Sequence, residues 1–345
     1  MKPIIVVAGH VCVDLTPRFS DTPDLSPGNL TGVGPLTITV GGCVANTGGD
    51  LVDLGAPVRL VATVGSDELG SIATRALERR GAVRADLQRT DQFATSYSVI
   101  AEGPHADRAI WHYPGANEAF DGALVDLDGA NLLHFGYPPL MPGVSRDDGK
   151  PLATLFTRAS RLGLTTSLDM AVVDPVAKWG ARDWPAFLAT VLPTVGIFSP
   201  SYDDLASALG PSKLAPERDL TSEVEVLAER MMTLGAAVVM ISAGSHGMFL
   251  RVADAKRLER AGAALAPLAA EWADFTGWQH PLPLPNKATT NGAGDAATAG
   301  LLHAIWEGLS PGPALSRAAL TAAVVITGKL PTTQNLAALA GNQSE

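Results

Sequence analysis

Along most of the 345-residue chain, short aliphatic runs bounded by polar turns alternate with longer stretches whose apolar residues recur at helical spacing. The first pattern predicts strands and the second predicts amphipathic helices. Strands are expected over 4–8, 37–40, 59–64, 95–100, 109–113, 132–135, 165–168, 195–198 and 238–242. Helices are expected around 44–54, 69–80, 152–162, 222–234, 295–307 and 313–327. Several runs, such as IIVVA, RLVATV and AVVMIS, are apolar at nearly every position. Strands of that kind are covered on both faces, which suits a parallel sheet between helical layers. The alternation points to an α/β fold.

Three stretches break the rhythm. Residues 14–35 are rich in Pro, Gly, Ser, Thr and Asp, and 95–113 reads as two strands joined by a polar GPHAD turn. These suit either surface hairpins or a small second sheet over the main domain. Residues 253–287 mix an Ala-rich segment with Trp272, Phe275 and Trp278. That stretch is expected to be an insertion covering a ligand or a subunit contact.

Composition narrows the function classes. Hydrophobic residues make up 46% of the chain, enough for a large core and against a disordered ground state. The balance of 25 basic and 35 acidic residues gives a net charge of −10, which argues against nucleic acid as partner. Two cysteines, Cys12 and Cys43, form no CxxC pair and cannot build a zinc site alone. No apolar run is long enough to span a bilayer, so no membrane association and a cytoplasmic location are expected.

The strongest chemical signal is Asn291-Gly292-Ala293-Gly294-Asp295, a Gly-rich turn opening a helix. The first-turn amides of a helix have no internal partners and attract anions. Gly292 and Gly294 remove side chains that would block a phosphate. Asp295 is either a first-turn capping carboxylate or a base that takes the proton of an attacking hydroxyl. A second signal is Gly41-Gly42-Cys43-Val44-Ala45-Asn46, where Asn46 either faces a ligand or bonds its own backbone. A third is Gly9-His10-Val11-Cys12-Val13-Asp14, with a carboxylate just past the first strand. A fourth is the turn Ser242–Gly247, where Gly244 and Gly247 suit a nucleotide or a tight hairpin. His10, His112 and His134 lie near strand ends and read as structural. Residues 143–150 only resemble a P-loop, having five residues between the glycines and Pro151 where Ser or Thr is needed.

Taken in order, these segments resemble the ribokinase-like (PfkB) carbohydrate kinases. The stretch from Gly41 to Asn46, on to Gly70, is similar to that family's first signature. The Asn291–Asp295 turn is similar to the second, and PGAN at 114–117, SLDM at 167–170 and SAGSHG at 242–247 fall between them. The resemblance implies a three-layer α/β/α domain over 1–335 with a small β lid from about 14–40 and 95–113, and a tail over 336–345. It implies ATP-dependent phosphoryl transfer to a hydroxyl of a sugar or nucleoside, with Mg²⁺ as cofactor. Asp295 would be the base, with Gly292, Ala293 and Gly294 as the anion hole. Asp14, Gly42 and Asn46 would bind the acceptor, and Gly244, Gly247 and Asn291 the nucleotide. Asp204 would support the metal.

Two positions depart from the family pattern. Thr289 stands where the second signature has Asp, and Ser201-Tyr202-Asp203-Asp204 stands for Asn-x-x-Glu, with Asp204 the shorter replacement. A sugar kinase is the leading expectation. A nucleoside kinase, with Trp111 and Tyr113 stacking on a base, and a member that binds without catalysis are the others. Activation by a monovalent cation and assembly as a homodimer stay open.

Overall fold

A computed structural model describes residues 3–20, 26–101, 109–210, 219–284 and 287–341. Thirteen strands are described: β1 (Ile4–Gly9), β2 (Cys12–Pro17), β3 (Leu36–Gly41), β4 (Val58–Gly65), β5 (Arg84–Thr90), β6 (Tyr97–Ala101), β7 (Ala109–Tyr113), β8 (Ala130–Gly136), β9 (Thr165–Asp169), β10 (Ile197–Phe198), β11 (Val238–Ser242), β12 (Met248–Val252) and β13 (Thr276–Gln279). Nine form one sheet in the order β13-β12-β11-β10-β9-β8-β1-β4-β5. Strands β5 to β11 of that order pair in parallel, and β12 and β13 add an antiparallel edge. The other four form a second sheet, β3-β2-β6-β7.

The helices are α1 (Asn46–Asp53), α2 (Glu68–Glu78), α3 (Pro142–Arg161), α4 (Trp184–Val191), α5 (Tyr202–Leu209), α6 (Leu220–Leu234), α7 (Ala255–Glu259), α8 (Ala269–Trp272), α9 (Ala293–Glu307), α10 (Pro311–Ile326) and α11 (Thr333–Gly341). They cover both faces of the large sheet. Along β1, Ile5 and Val7 join the core under α1, α9 and α10, while Val6 and Ala8 join the core under α3 to α6. That is why IIVVA is apolar throughout. Helices α9 and α10 approach so closely that a Cβ on Gly300 would lie 2.8 Å from the Ala318 Cα.

Most expected elements are present, but α4, α5, α7, α8 and α11 were not expected, and four further differences stand out. β2, β5 and β13 were not expected, because each mixes polar residues with few aliphatic ones. Helix α3 starts ten residues early and is interrupted at 146–149, where Asp147, Asp148 and Gly149 are left-handed. The tryptophans of the stretch from 253 cover no ligand, whereas its end, with Gln279, His280, Leu282, Leu284 and Lys287, lines a large cleft. Trp272 is fully buried and its indole N–H donates to the Leu309 carbonyl, while Trp278 on β13 packs against Phe249 and donates to Glu225. Finally, the expected tail from 336 begins inside α11, whose Leu336 and Leu339 are buried. The polar turn expected at 103–107 lies outside the described residues.

Candidate active site

The parallel strands deliver one residue after another to the same edge. His10 follows β1, Tyr137 follows β8, Asp169 ends β9, Ser199 follows β10 and Ala243 follows β11. All of them line a cleft of about 1110 Å³. The chain runs from β1 to β4 on one side and reaches β8 on the other, so the order reverses between β1 and β8. Ligands of open α/β sheets bind at such a reversal, beyond the carboxyl ends.

The cleft wall opposite the sheet is the start of α9. Gly292 precedes the helix with φ 74°, a left-handed conformation that glycine adopts without a Cβ penalty. The Gly294 and Asp295 amides have no acceptor among the described residues, as expected for a first helical turn. A Cβ on Gly294 would meet nothing within 4 Å, so this face is open. The loop before it is held without the usual aspartate. The Thr289 hydroxyl accepts the Asn291 N–H at 3.0 Å, and the Ala288 and Thr289 amides donate to the Ile326 carbonyl.

Asp295 does not cap its own helix. Its carboxylate points across to α1 and to the end of β8. The Thr47 hydroxyl donates to Oδ1 at 2.6 Å, while the Asn46 amide and the Tyr137 hydroxyl donate to Oδ2 at 3.0 and 2.5 Å. Burial raises the Asp295 pKa, and these three donors oppose the shift. Burial also pushes the Tyr137 phenol well up, so it stays protonated and donates. Tyr137 itself is left-handed (φ 70°), which costs a non-glycine residue on the order of 1 kcal/mol.

Two further carboxylates line the cleft. Asp169 is buried, and burial with the nearby Asp204 and Asp295 raises its pKa well above the usual range. Asp204 is pushed up to about 6, again mainly by burial. It belongs to the first turn of α5, where the Ser201 N–H donates to its carboxylate and the Ser201 hydroxyl accepts its N–H. This capping box preserves the helix start although Ser201 replaces the expected Asn. Among the described residues no three His, Cys, Asp or Glu side chains are grouped closely enough to hold a metal alone.

The sequence pattern described as "pfkB family carbohydrate kinase" matches residues 3–337. The chain belongs to that family. It is therefore an ATP-dependent phosphotransferase with an alcohol group as acceptor. An uncharacterized sugar kinase of Archaeoglobus fulgidus is 24% identical over 259 residues, covering 74% of this chain and 85% of that protein. The structure of Arabidopsis thaliana ribokinase complexed with ribose and ATP aligns over 98% of this chain and 99% of its own, at 19% identity and a TM-score of 0.74. Xylella fastidiosa fructokinase with bound ATP aligns over all of both chains at 16% identity and a TM-score of 0.75.

The structure of this pfkB kinase brings most of the expected residues into the cleft. Gly42, Asn46, Asp204, Gly244, Gly247 and 291–295 all line it. Asn46 holds Asp295 and does not bond its own backbone. Gly42 (φ 89°) packs on His10, and a Cβ there would lie 2.5 Å from the His10 carbonyl. Gly247 (φ 97°) is demanded by its hairpin, because a Cβ would meet the Gln279 carbonyl. Asp14 does not line the cleft. It sits on β2 opposite Ser98, which does, and accepts from the Cys12 thiol at 3.2 Å. Thr47, Tyr137 and the imidazoles of His10 and His112 were missed. Only the position of His10, one residue past the first strand, hinted at a site role.

Proposed function

We propose that this kinase transfers the γ-phosphoryl group of ATP to a hydroxyl of a small sugar or related carbohydrate. The observation that carries the reading is the pairing of Asp295 with the unpartnered amides of its own helix start. A carboxylate offers about four lone-pair sites. Thr47, Asn46 and Tyr137 take three, leaving one on Oδ1 for the acceptor O–H. Asp295 accepts that proton as the oxygen attacks. The Gly294 and Asp295 amides and the helix dipole stabilise charge on the transferred group. The second sheet, β3-β2-β6-β7, as a lid, keeps water from competing.

Mg²⁺, when bound, would neutralise phosphate charge. The buried acidic floor fits a cation, and Asp204 is the carboxylate that would reach it, the remaining shell being phosphate oxygens and water. On the nucleotide side, the Gly244–Gly247 turn and Asn291 line the cleft and would flank the ATP phosphates and base.

A sugar is favoured over a nucleoside. Neither Trp111 nor Tyr113 lines the cleft, and the Tyr113 ring instead packs 5.6 Å from Tyr97. A purely binding role is disfavoured because Thr289 and Ser201 each keep the local hydrogen bonding that their replacement put at stake. The test is ADP release with Mg²⁺ over a panel of sugars, polyols and nucleosides. Turnover of sugars or polyols is expected. Turnover confined to nucleosides would replace the acceptor assignment. Ligand binding without transfer to any acceptor would replace the catalytic one.

A further inference from the structure

Two imidazoles lie where the second sheet overhangs the cleft, and the transfer chemistry uses neither. His10 is 1% exposed, and neither ring nitrogen has a partner among the described residues. His112 comes from β7. Its Nδ1 lies 3.1 Å from the Ser98 hydroxyl, and its buried Nε2 has no partner. The two rings are 5.2 Å apart, and the His10 ring is 5.8 Å from Tyr137, whose hydroxyl touches Asp295. Both rings line the cleft. Buried polar atoms without partners are rare in folded proteins, so three such nitrogens beside a base call for a ligand.

We propose that His10 and His112 are specificity residues of the acceptor site, selecting an uncharged sugar or polyol with neighbouring hydroxyls against acceptors that carry a phosphate or carboxylate. The proposal rests on the kinase reading above. A neutral imidazole has one donor and one acceptor nitrogen. A hydroxyl both donates and accepts, so neighbouring hydroxyls satisfy both kinds. An anion only accepts, and sets its lone pairs against the unprotonated nitrogens. Burial keeps both rings neutral: it pushes His112 down to about 4 and His10 well below its usual range, the neighbouring His112 adding to the latter shift. Neither ring therefore supplies a positive charge.

The surroundings point the same way. Among the described residues lining the cleft, the sole Lys or Arg is Lys287. It adjoins Ala288, which is tied to the end of α10, and α10 packs on β12 and β13 at the edge of the large sheet, whereas β7 belongs to the second sheet. Asp295, the base of the kinase reading, lines the cleft as well, so a charged acceptor would meet like charge.

The experiment measures ADP release for matched pairs: ribose and ribose 5-phosphate, fructose and fructose 6-phosphate, glucose and gluconate, myo-inositol and its monophosphate. Binding of a fluorescent ATP analogue is measured alongside. Turnover is expected for uncharged members, with kcat/KM at least about 100-fold above their charged partners. A charged member used as well as its partner would overturn the proposal and leave the kinase reading intact. So would ATP binding with no turnover of any uncharged member. No transfer together with no ATP binding would instead overturn the kinase reading. His10→Leu and His112→Leu should each raise the acceptor KM about tenfold or more while the ATP KM holds within about twofold. The Gln variants, which keep a donor and an acceptor, should recover part of the loss. Should His10→Leu fail to fold, His112→Leu on the second sheet carries the same readout. A folded variant with an unchanged acceptor KM would end the assignment.

Discussion

The two ends of the cleft are built by different means. The phosphate end is backbone: Gly294 and Asp295 present unpartnered amides at the mouth of α9, and glycine keeps the approach open. The acceptor end is side chain: His10 from β1, Ser98 and His112 from the second sheet, and Tyr137 from the end of β8. A backbone device works for any phosphate, whichever molecule carries it. A side-chain device reads one acceptor and must be assembled from distant parts of the chain. Asp295 sits where the two meet, in the helix of the first and bonded to Tyr137 of the second.

Breaking the junction should have the largest effect. Asp295→Asn should lower kcat by about 10²–10⁴-fold, with the ATP KM changed only a few-fold. Steady-state kinetics against both substrates check this, and an unchanged kcat would remove the base.

The next effect separates the two ends. Gly294→Val places a side chain where nothing lies within 4 Å, so the fold should survive. It should nonetheless lower kcat/KM for ATP by about 10–100-fold by obstructing an anion-binding amide. An unchanged melting temperature with that loss supports the phosphate role, whereas unimpaired kinetics would show that the phosphate binds elsewhere.

Tyr137→Phe tests the link from the acceptor side. Losing one hydrogen bond to a charged group costs about 1.5–3 kcal/mol, or roughly tenfold to a hundredfold in rate if the bond persists in the transition state. The bond also favours ionised Asp295. Without it the pKa rises, so the acid limb of the kcat/KM profile should move to higher pH. A pH–rate profile with the wild-type limb would show that Tyr137 does not act through the base.

The smallest effect on activity, visible mainly in stability, lies behind α1. Asp50 is raised to about 8, chiefly by burial, with Asp295 adding and Arg80 opposing. A carboxyl whose folded pKa exceeds its unfolded value contributes stability below about pH 4, lost as pH rises toward about 8. Asp50→Asn lacks that loss, so its advantage over the wild type should grow across this window, reaching on the order of 1–3 kcal/mol. Arg80 keeps Asp53 at 2.6 Å in the variant. Thermal melts at pH 5, 7 and 9 check the slope, and parallel curves would refute the shift.

Much of the fold was legible because fully covered strands need aliphatic residues at every position. IIVVA and AVVMIS could hardly be anything else. The strands that escaped notice are half-exposed: CVDLTP and RADLQRT mix charged and polar residues with few aliphatic ones, and short polar strands look like loops. The same reasoning hid the true role of Trp272, since an Ala-rich surrounding gave no sign that its indole is enclosed. At the site, Gly292, Gly294 and Asp295 were visible because five adjacent residues make that device. Thr47 and Tyr137 were not, because nothing near them in the chain shows that they meet a carboxylate 248 and 158 residues away.

The order of residues by itself determined the layered architecture and the anion-receiving helix start, since both follow from local periodicity and from glycine at adjacent positions. Only the tertiary structure decided which side chains gather around Asp295 and which imidazole nitrogens are left unpaired beneath the second sheet. Those depend on strand order, which brings the ends of β1 and β8 together at the reversal, and on desolvation, which exists only once the chain has closed over them.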